Sequence, residues 1–169
     1  MSIGLLLLRL TLGLTLAAHG ARILFGWFGG PGLDATAKAF AMLRFPPGRR
    51  YALMAGLTEA SGGLLLALGL VTPFAAALVL GVMLVAAVSA HVEKGFFLTN
   101  GGYEYTLVVA VAALTFAFTG PGSLSFDAQL GYSLSGAFWG VAAFIVGLLA
   151  GVVPLVQRRA PPASAEQSS

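Results

Sequence analysis

Apolar residues run almost without interruption through five long stretches of this chain, and polar residues gather in the connections between them. About 20 apolar residues cross the hydrocarbon core of a bilayer, so each stretch reads as a transmembrane helix. The first runs from about Ser2 to Phe25 and the second from about Tyr51 to Val71. Thr72-Pro73 turns directly into the third, which ends near His91. Proline suits the first turn of a helix, where its missing N–H had no partner anyway. The fourth stretch runs from Tyr103 to Thr119 and stops at Gly120-Pro121-Gly122, and the fifth runs from Tyr132 to Val156. These runs are continuous, with no alternation at period two, which argues against a membrane β-barrel.

The connections carry signals of their own. The first stretch lacks a basic leader and contains Arg9, so it reads as a retained span and not a signal peptide. In the Gly/Pro-rich loop that follows, Leu33, Thr36, Phe40 and Leu43 share one side at helical spacing, opposite Asp34 and Lys38. Two readings stay open there: a short interfacial helix with Asp34 capping its start, or an ordinary loop. Gly95 and Asn100-Gly101-Gly102 signal turns between spans three and four. The tail from Arg158 to Ser169, with Pro161-Pro162 and small polar residues, is expected to be disordered.

Composition agrees with the pattern. Of 169 residues, 58% are hydrophobic and only 9% are charged, against about 25% charged in soluble domains. Water is not the main solvent of this chain. Cysteine is absent, so redox chemistry here would need a bound cofactor, a quinone or a partner. The net charge of +3 would suit nucleic acid in a soluble protein, but here it sits in short loops beside the spans. One side carries Lys38, Arg44, Arg49, Arg50, Lys94, Arg158 and Arg159. The other has the N-terminus, the Thr72 turn and the Gly120–Gly131 loop, with Asp127 and no Lys or Arg. The bias reads as topology, with the N-terminus outside and the C-terminus cytoplasmic; no nucleic-acid partner is expected.

Polar groups inside the spans gather toward that basic side. Thr11, Thr15, His19 and Arg22 share a stripe of span one. Glu59 lies about eight residues into span two, or about 12 Å from its cytoplasmic end. His91 and Glu93 close span three, and Tyr103 and Glu104 open span four. Gly56, Gly62 and Gly63 share the Glu59 face, and small residues permit close helix contact, so Glu59 is expected to point into the bundle. An isolated carboxylate there must be protonated, paired with a cation or hydrated in a cavity. Arg9 is the candidate partner.

His19 and His91 admit three readings: bonding to loop carbonyls, binding or protonating a small redox molecule such as a quinone, or ligating haem b or a metal across two helices. No second histidine follows either at helical spacing, so no metal motif is present. The Gly101-Gly102 pair before Tyr103 and Glu104 could admit a ligand to a helix N-terminus, or simply serve the dipole and the aromatic belt. In span five, Gly136, Gly140, Ala143, Gly147 and Gly151 line one arc, a face for packing on the other spans or on a second copy as a homodimer.

The ending Ala17-Ala18-His19-Gly20, the segment Thr58-Glu59-Ala60-Ser61-Gly62-Gly63 and the turn from Leu68 to Pro73 together resemble the DoxX family of small membrane proteins. His91 followed by Gly95-Phe96-Phe97 and Asn100-Gly101-Gly102-Tyr103-Glu104-Tyr105 adds to the resemblance, which covers Gly4 to Phe126. It implies an all-α membrane protein in the bacterial inner membrane, with a four-helix transmembrane core over 1–126. An additional helix over 127–157 and the tail over 158–169 would complete the chain. Relatives are associated with thiosulfate:quinone oxidoreduction and with oxidoreductase complexes that counter oxidative stress. By matching motif, His19, Glu59 and His91 become catalytic candidates, and His19, His91, Tyr103 and Glu104 cofactor-binding ones.

Three functions follow. The first is a redox-complex subunit holding a quinone near the cytoplasmic face, with electrons from another subunit on that side. The second is a non-catalytic anchor or assembly partner for an oxidoreductase. The third, transport of a small solute or proton, is disfavoured because the spans are unbroken apart from glycine.

Overall fold

The computed structural model describes residues 2–158, and all regular structure among them is helical. Arg159 and the tail beyond it lie outside the described residues. Helix α1 spans Ser2–Phe25, α2 Gly32–Met42, α3 Gly48–Leu68, α4 Thr72–Ala86, α5 Glu104–Thr119, α6 Phe126–Gln129 and α7 Ala137–Val156. The α4 rod continues through a π-helical turn, Ala87–His91, and a 3-10 turn, Val92–Lys94. Helices α1, α3, α4 with its extension, and α7 are each long and apolar enough to cross a membrane. Helix α5 has 16 residues and is about 24 Å long, shorter than its neighbours but packed among them.

Helices α1, α3, α4 and α5 form a four-helix bundle around Leu16, Leu66, Val79, Met83, Val109 and Phe116. In lipid, apolar surface gives no drive to associate, so close contact between small residues has to hold the helices together. Gly13 meets Gly63 and Ala67, and Gly20 meets Gly56 and Ala60, so closely that a Cβ on either would overlap the facing backbone. Ile3, Leu7, Leu14, Val108 and Val111 turn outward, where lipid would lie. The bundle is fastened by small residues and clothed in large ones.

Helix α7 packs against α4 and α5 as an added fifth element. Its small-residue arc, expected to serve either the bundle or a homodimer, is taken up within the chain. Gly140 abuts Phe118, Gly147 abuts Ala77 and Leu80, and Gly151 abuts Gly81 and Leu84, while Gly136 stays open. The end of α7 is tied to the α2–α3 corner. Tyr51 Oη donates to Gln157 Oε1 at 2.8 Å, and Arg158 Nε donates to Leu43 O at 3.1 Å. The Arg158 guanidinium also lies 5.2 Å from the centre of the fully buried Phe45 ring.

Three expectations change in detail. The second span starts at Gly48, inside the stretch read as loop, and closes at Leu68. There Leu70 N–H donates to Leu65 O and Gly69 N–H to Leu66 O, a Schellman ending with Gly69 at φ 63°. The amphipathic loop segment is a helix, but Asp34 does not cap it. Pro31 precedes the helix without a side-chain cap, and the Asp34 carboxylate pairs with Arg49 instead.

Arg9 does not meet Glu59. Its guanidinium donates to Ala67 O (3.0 Å), Pro121 O (2.9 Å) and Leu124 O (2.7 Å), at the end of the bundle away from the basic loops. Asp127 completes this cluster by capping α4 from another part of the chain. Its carboxylate accepts from Val71 N–H (2.7 Å), Thr72 N–H (3.0 Å) and Thr72 Oγ1 (2.6 Å). Such donors at a helix N-terminus have no partner within the helix. Arg9 and Asp127 are 2% and 1% exposed.

Candidate functional site

Glu59 occupies the middle of α3, about 16 Å from Gly48 and about 14 Å from Leu68 at 1.5 Å per residue. This is deeper than the expected position near the basic end, because α3 begins earlier than the sequence suggests. As its glycine-rich face predicts, Glu59 turns inward and is only 9% exposed. Its Oε2 is enclosed and has no hydrogen-bond partner. The ion pair found among the described residues, Arg49–Asp34, lies at the rim and leaves Glu59 without a cation.

The carboxyl borders a cavity of ≈ 330 Å³ in the groove between α3, α4 and α7. Met54, Ala55 and Thr58 supply the α3 wall, Leu78, Val82 and Val85 the α4 wall, and Ala150 and Pro154 the α7 wall. Phe40 of α2 and Leu43 just after it bound the cavity toward the basic loops. The π-helical turn brings Ser89 and Ala90 to the same space; such turns insert one extra residue and re-aim the side chains around them. Ser89 Oγ donates to Val85 O at 2.5 Å and keeps its acceptor lone pairs. The result is an apolar chamber with one carboxyl and a few hydroxyls, a composition typical of small-molecule sites.

The other predicted site residues fall elsewhere. His19 is not part of the cavity wall; its ring lies 6.0 Å from that of Tyr105 on α5. His91 Nδ1 is 2.6 Å from Gly101 O, the loop-carbonyl arrangement among its three readings. Tyr103 sets its ring edge-on to Phe96, with centroids 5.5 Å apart. Glu104 accepts from Leu98 N–H at 2.9 Å through Oε2. With Gly102 N–H on Phe97 O and Glu104 N–H on Phe96 O, these residues close the turn between α4 and α5. His91, Tyr103 and Glu104 therefore each serve this turn through separate partners, Gly101, Phe96 and Leu98, and none lines the Glu59 cavity.

A direct consequence concerns His91. His91→Ala should release Gly101 O and loosen residues 95–104, costing about 1 kcal/mol while leaving the Glu59 cavity intact. Amide hydrogen exchange checks this: faster exchange in the loop with no change in α3 is the expected result.

Sequence reasoning missed Tyr105, which entered as the last residue of the Asn100–Tyr105 motif. Its hydroxyl is buried without a hydrogen-bond partner and lies within electrostatic reach of Glu59. Tyr105 is the second residue of α5, and no pattern in the sequence tells that its ring meets His19 of span one. Among the described residues no group of three or more His, Cys, Asp or Glu side chains could hold a metal ion.

No curated protein and no solved structure matches this chain. The family model for DoxX matches residues 4–92, more than half of the sequence, taking in Arg9, His19, Glu59 and His91 and ending before the Asn100–Tyr105 segment. With its helical membrane architecture and that match, the chain belongs to the DoxX family.

Proposed function

We propose that this protein is an integral membrane subunit of a quinone-linked redox complex, with a quinone ring held against Glu59 in the α3–α4–α7 cavity. The observation that carries this reading is a chamber of ≈ 330 Å³ with apolar walls and a deeply buried carboxyl free of any cation. Small-ligand sites span about 300–1,000 Å³, so a ring fits while its isoprenoid tail would remain in the groove. A bound quinone supplies an acceptor for two electrons and two protons. Glu59, as a carboxylic acid, donates a hydrogen bond to a ring carbonyl and can pass on its proton. Met54, Leu78, Val82 and Val85 pack the ring faces and keep water away from the carboxyl.

The chain has no cysteine, so the electron donor in this reading is a separate subunit. Its docking surface would be the basic rim of Lys38, Arg44, Arg50 and Lys94 around α2. The positive-inside bias supports a cytoplasmic rim with the N-terminus outside, and the family resemblance supports the inner membrane of a bacterium. A second reading, a non-catalytic anchor, is favoured by the loop bonding of His91 and Glu104.

Titration of the protein in nanodiscs with a short-chain quinone separates the two. Saturable binding is expected, about 10- to 100-fold weaker in Glu59→Leu, where a polar contact worth about 1–3 kcal/mol is lost, and largely retained in Glu59→Gln. Absence of saturable binding by the unmodified protein would favour the anchor.

A further inference from the structure

We propose that His19 and Tyr105 form a proton path from the basic face to Glu59, recharging the cavity carboxyl through the bundle interior. This rests on the reading of Glu59 as the proton donor of the cavity. Two enclosed polar atoms without hydrogen-bond partners, Glu59 Oε2 and Tyr105 Oη, are contributed by α3 and α5 and lie within electrostatic reach of each other. Orphaned polar atoms in a packed interior are rare and call for an explanation. Each could have been avoided by a phenylalanine or a leucine at the same position.

The third member comes from α1. Gly20 packs on Gly56 and Ala60, the turn of α3 that carries Glu59, which brings the neighbouring His19 to the same level. The His19 ring lies 6.0 Å from the Tyr105 ring at an interplanar angle of 34°. Arg22 lies within electrostatic reach of His19, one turn nearer the basic end. The α4 and α7 residues around the cavity (Leu78, Gly81, Val82, Val85, Ala150 and Pro154) bring no titratable group. The polar line thus runs from Arg22 and His19 through Tyr105 to Glu59.

The transfer balances as a single proton shift. The His19 imidazolium gives a proton to Tyr105 Oη as Tyr105 passes its own hydroxyl proton on to Glu59 Oε2. One water bridging each gap would complete the hydrogen bonds of both orphaned atoms. His19 is then reprotonated from the aqueous basic face. No electron moves in these steps, and Glu59 ends as the neutral acid. Tyr105 and His19 act through Glu59 and touch no ligand themselves; they are positioning and relay residues.

The test needs neither quinone nor a partner. Infrared spectra of the protein in nanodiscs, transferred from H₂O to D₂O, follow deuterium entry into the Glu59 carboxyl, whose band is the one lost in Glu59→Gln. Tyr105→Phe and His19→Phe should each slow this exchange by on the order of 100-fold, the scale of a lost positioned proton donor. His91→Phe, in the loop, should leave it unchanged. An unchanged rate in Tyr105→Phe, or the absence of any carboxylic band assignable to Glu59, overturns the proposal. Slowed exchange in a protein that binds no quinone would sustain the path while refuting the quinone reading.

Discussion

Arg9→Met is expected to destabilise the bundle by about 3–5 kcal/mol, the range for breaking a buried charged network by removing one member. The guanidinium holds Ala67 O at the end of α3 together with Pro121 O and Leu124 O beyond α5. Methionine fills a similar volume but leaves those carbonyls without donors and Asp127 without its nearby cation. Asp127 in turn caps α4 through Val71 and Thr72, so the damage spreads to a second helix end. The site is also crowded: a Cβ on Gly69 would fall against both Arg9 Nη1 and Ser125 Cβ. Thermal unfolding in mild detergent, followed by circular dichroism, should show a large drop in the midpoint. Arg50→Met, at an exposed position, should show almost none. Equal midpoints for the two variants would contradict the role assigned to Arg9.

Glu59→Leu should have the opposite effect on stability. The wild-type side chain leaves Oε2 enclosed and unbonded, and replacing such a group by an apolar one of similar shape is neutral or stabilising. A gain of about 1–3 kcal/mol is expected on that basis. The same change should weaken quinone binding about 10- to 100-fold and remove the activity of the assembled complex. A carboxyl kept at a cost to the fold is the signature of a functional group, since intramembrane ionisable residues are expensive and otherwise replaceable. Should Glu59→Leu lower the unfolding midpoint, the carboxyl would instead be part of the structural framework.

These two residues also show how much the sequence disclosed. Five apolar stretches are enough to give the helices, and the glycines at positions 56, 62 and 63 are enough to turn Glu59 inward. The destination of Arg9 was hidden because its acceptors are backbone carbonyls in a loop of Pro121 and Leu124, residue types that advertise no polar contact. His91 is similar, for its acceptor is the carbonyl of Gly101. Asp127 caps a helix that begins 55 residues earlier in the chain, and no local capping pattern can signal that. The depth of Glu59 was misplaced because Gly48-Arg49-Arg50 after two prolines reads as a loop, whereas α3 begins there. The cavity itself belongs to no sequence motif. It arises where α7, held by Gly147 and Gly151 against α4, leaves room beside α3.

The central claim is that the Glu59 chamber is where a quinone binds, and photolabelling tests it most directly. The protein in native-like nanodiscs would be irradiated with an azido-quinone and the adducts located by mass spectrometry. The account predicts adducts on the cavity walls, at Met54–Glu59 of α3 and Leu78–Ala90 of α4 and its π-helical turn, suppressed by excess unlabelled quinone and strongly reduced in Glu59→Leu. Competable adducts confined to the His91–Glu104 turn, with none on those walls, would contradict it.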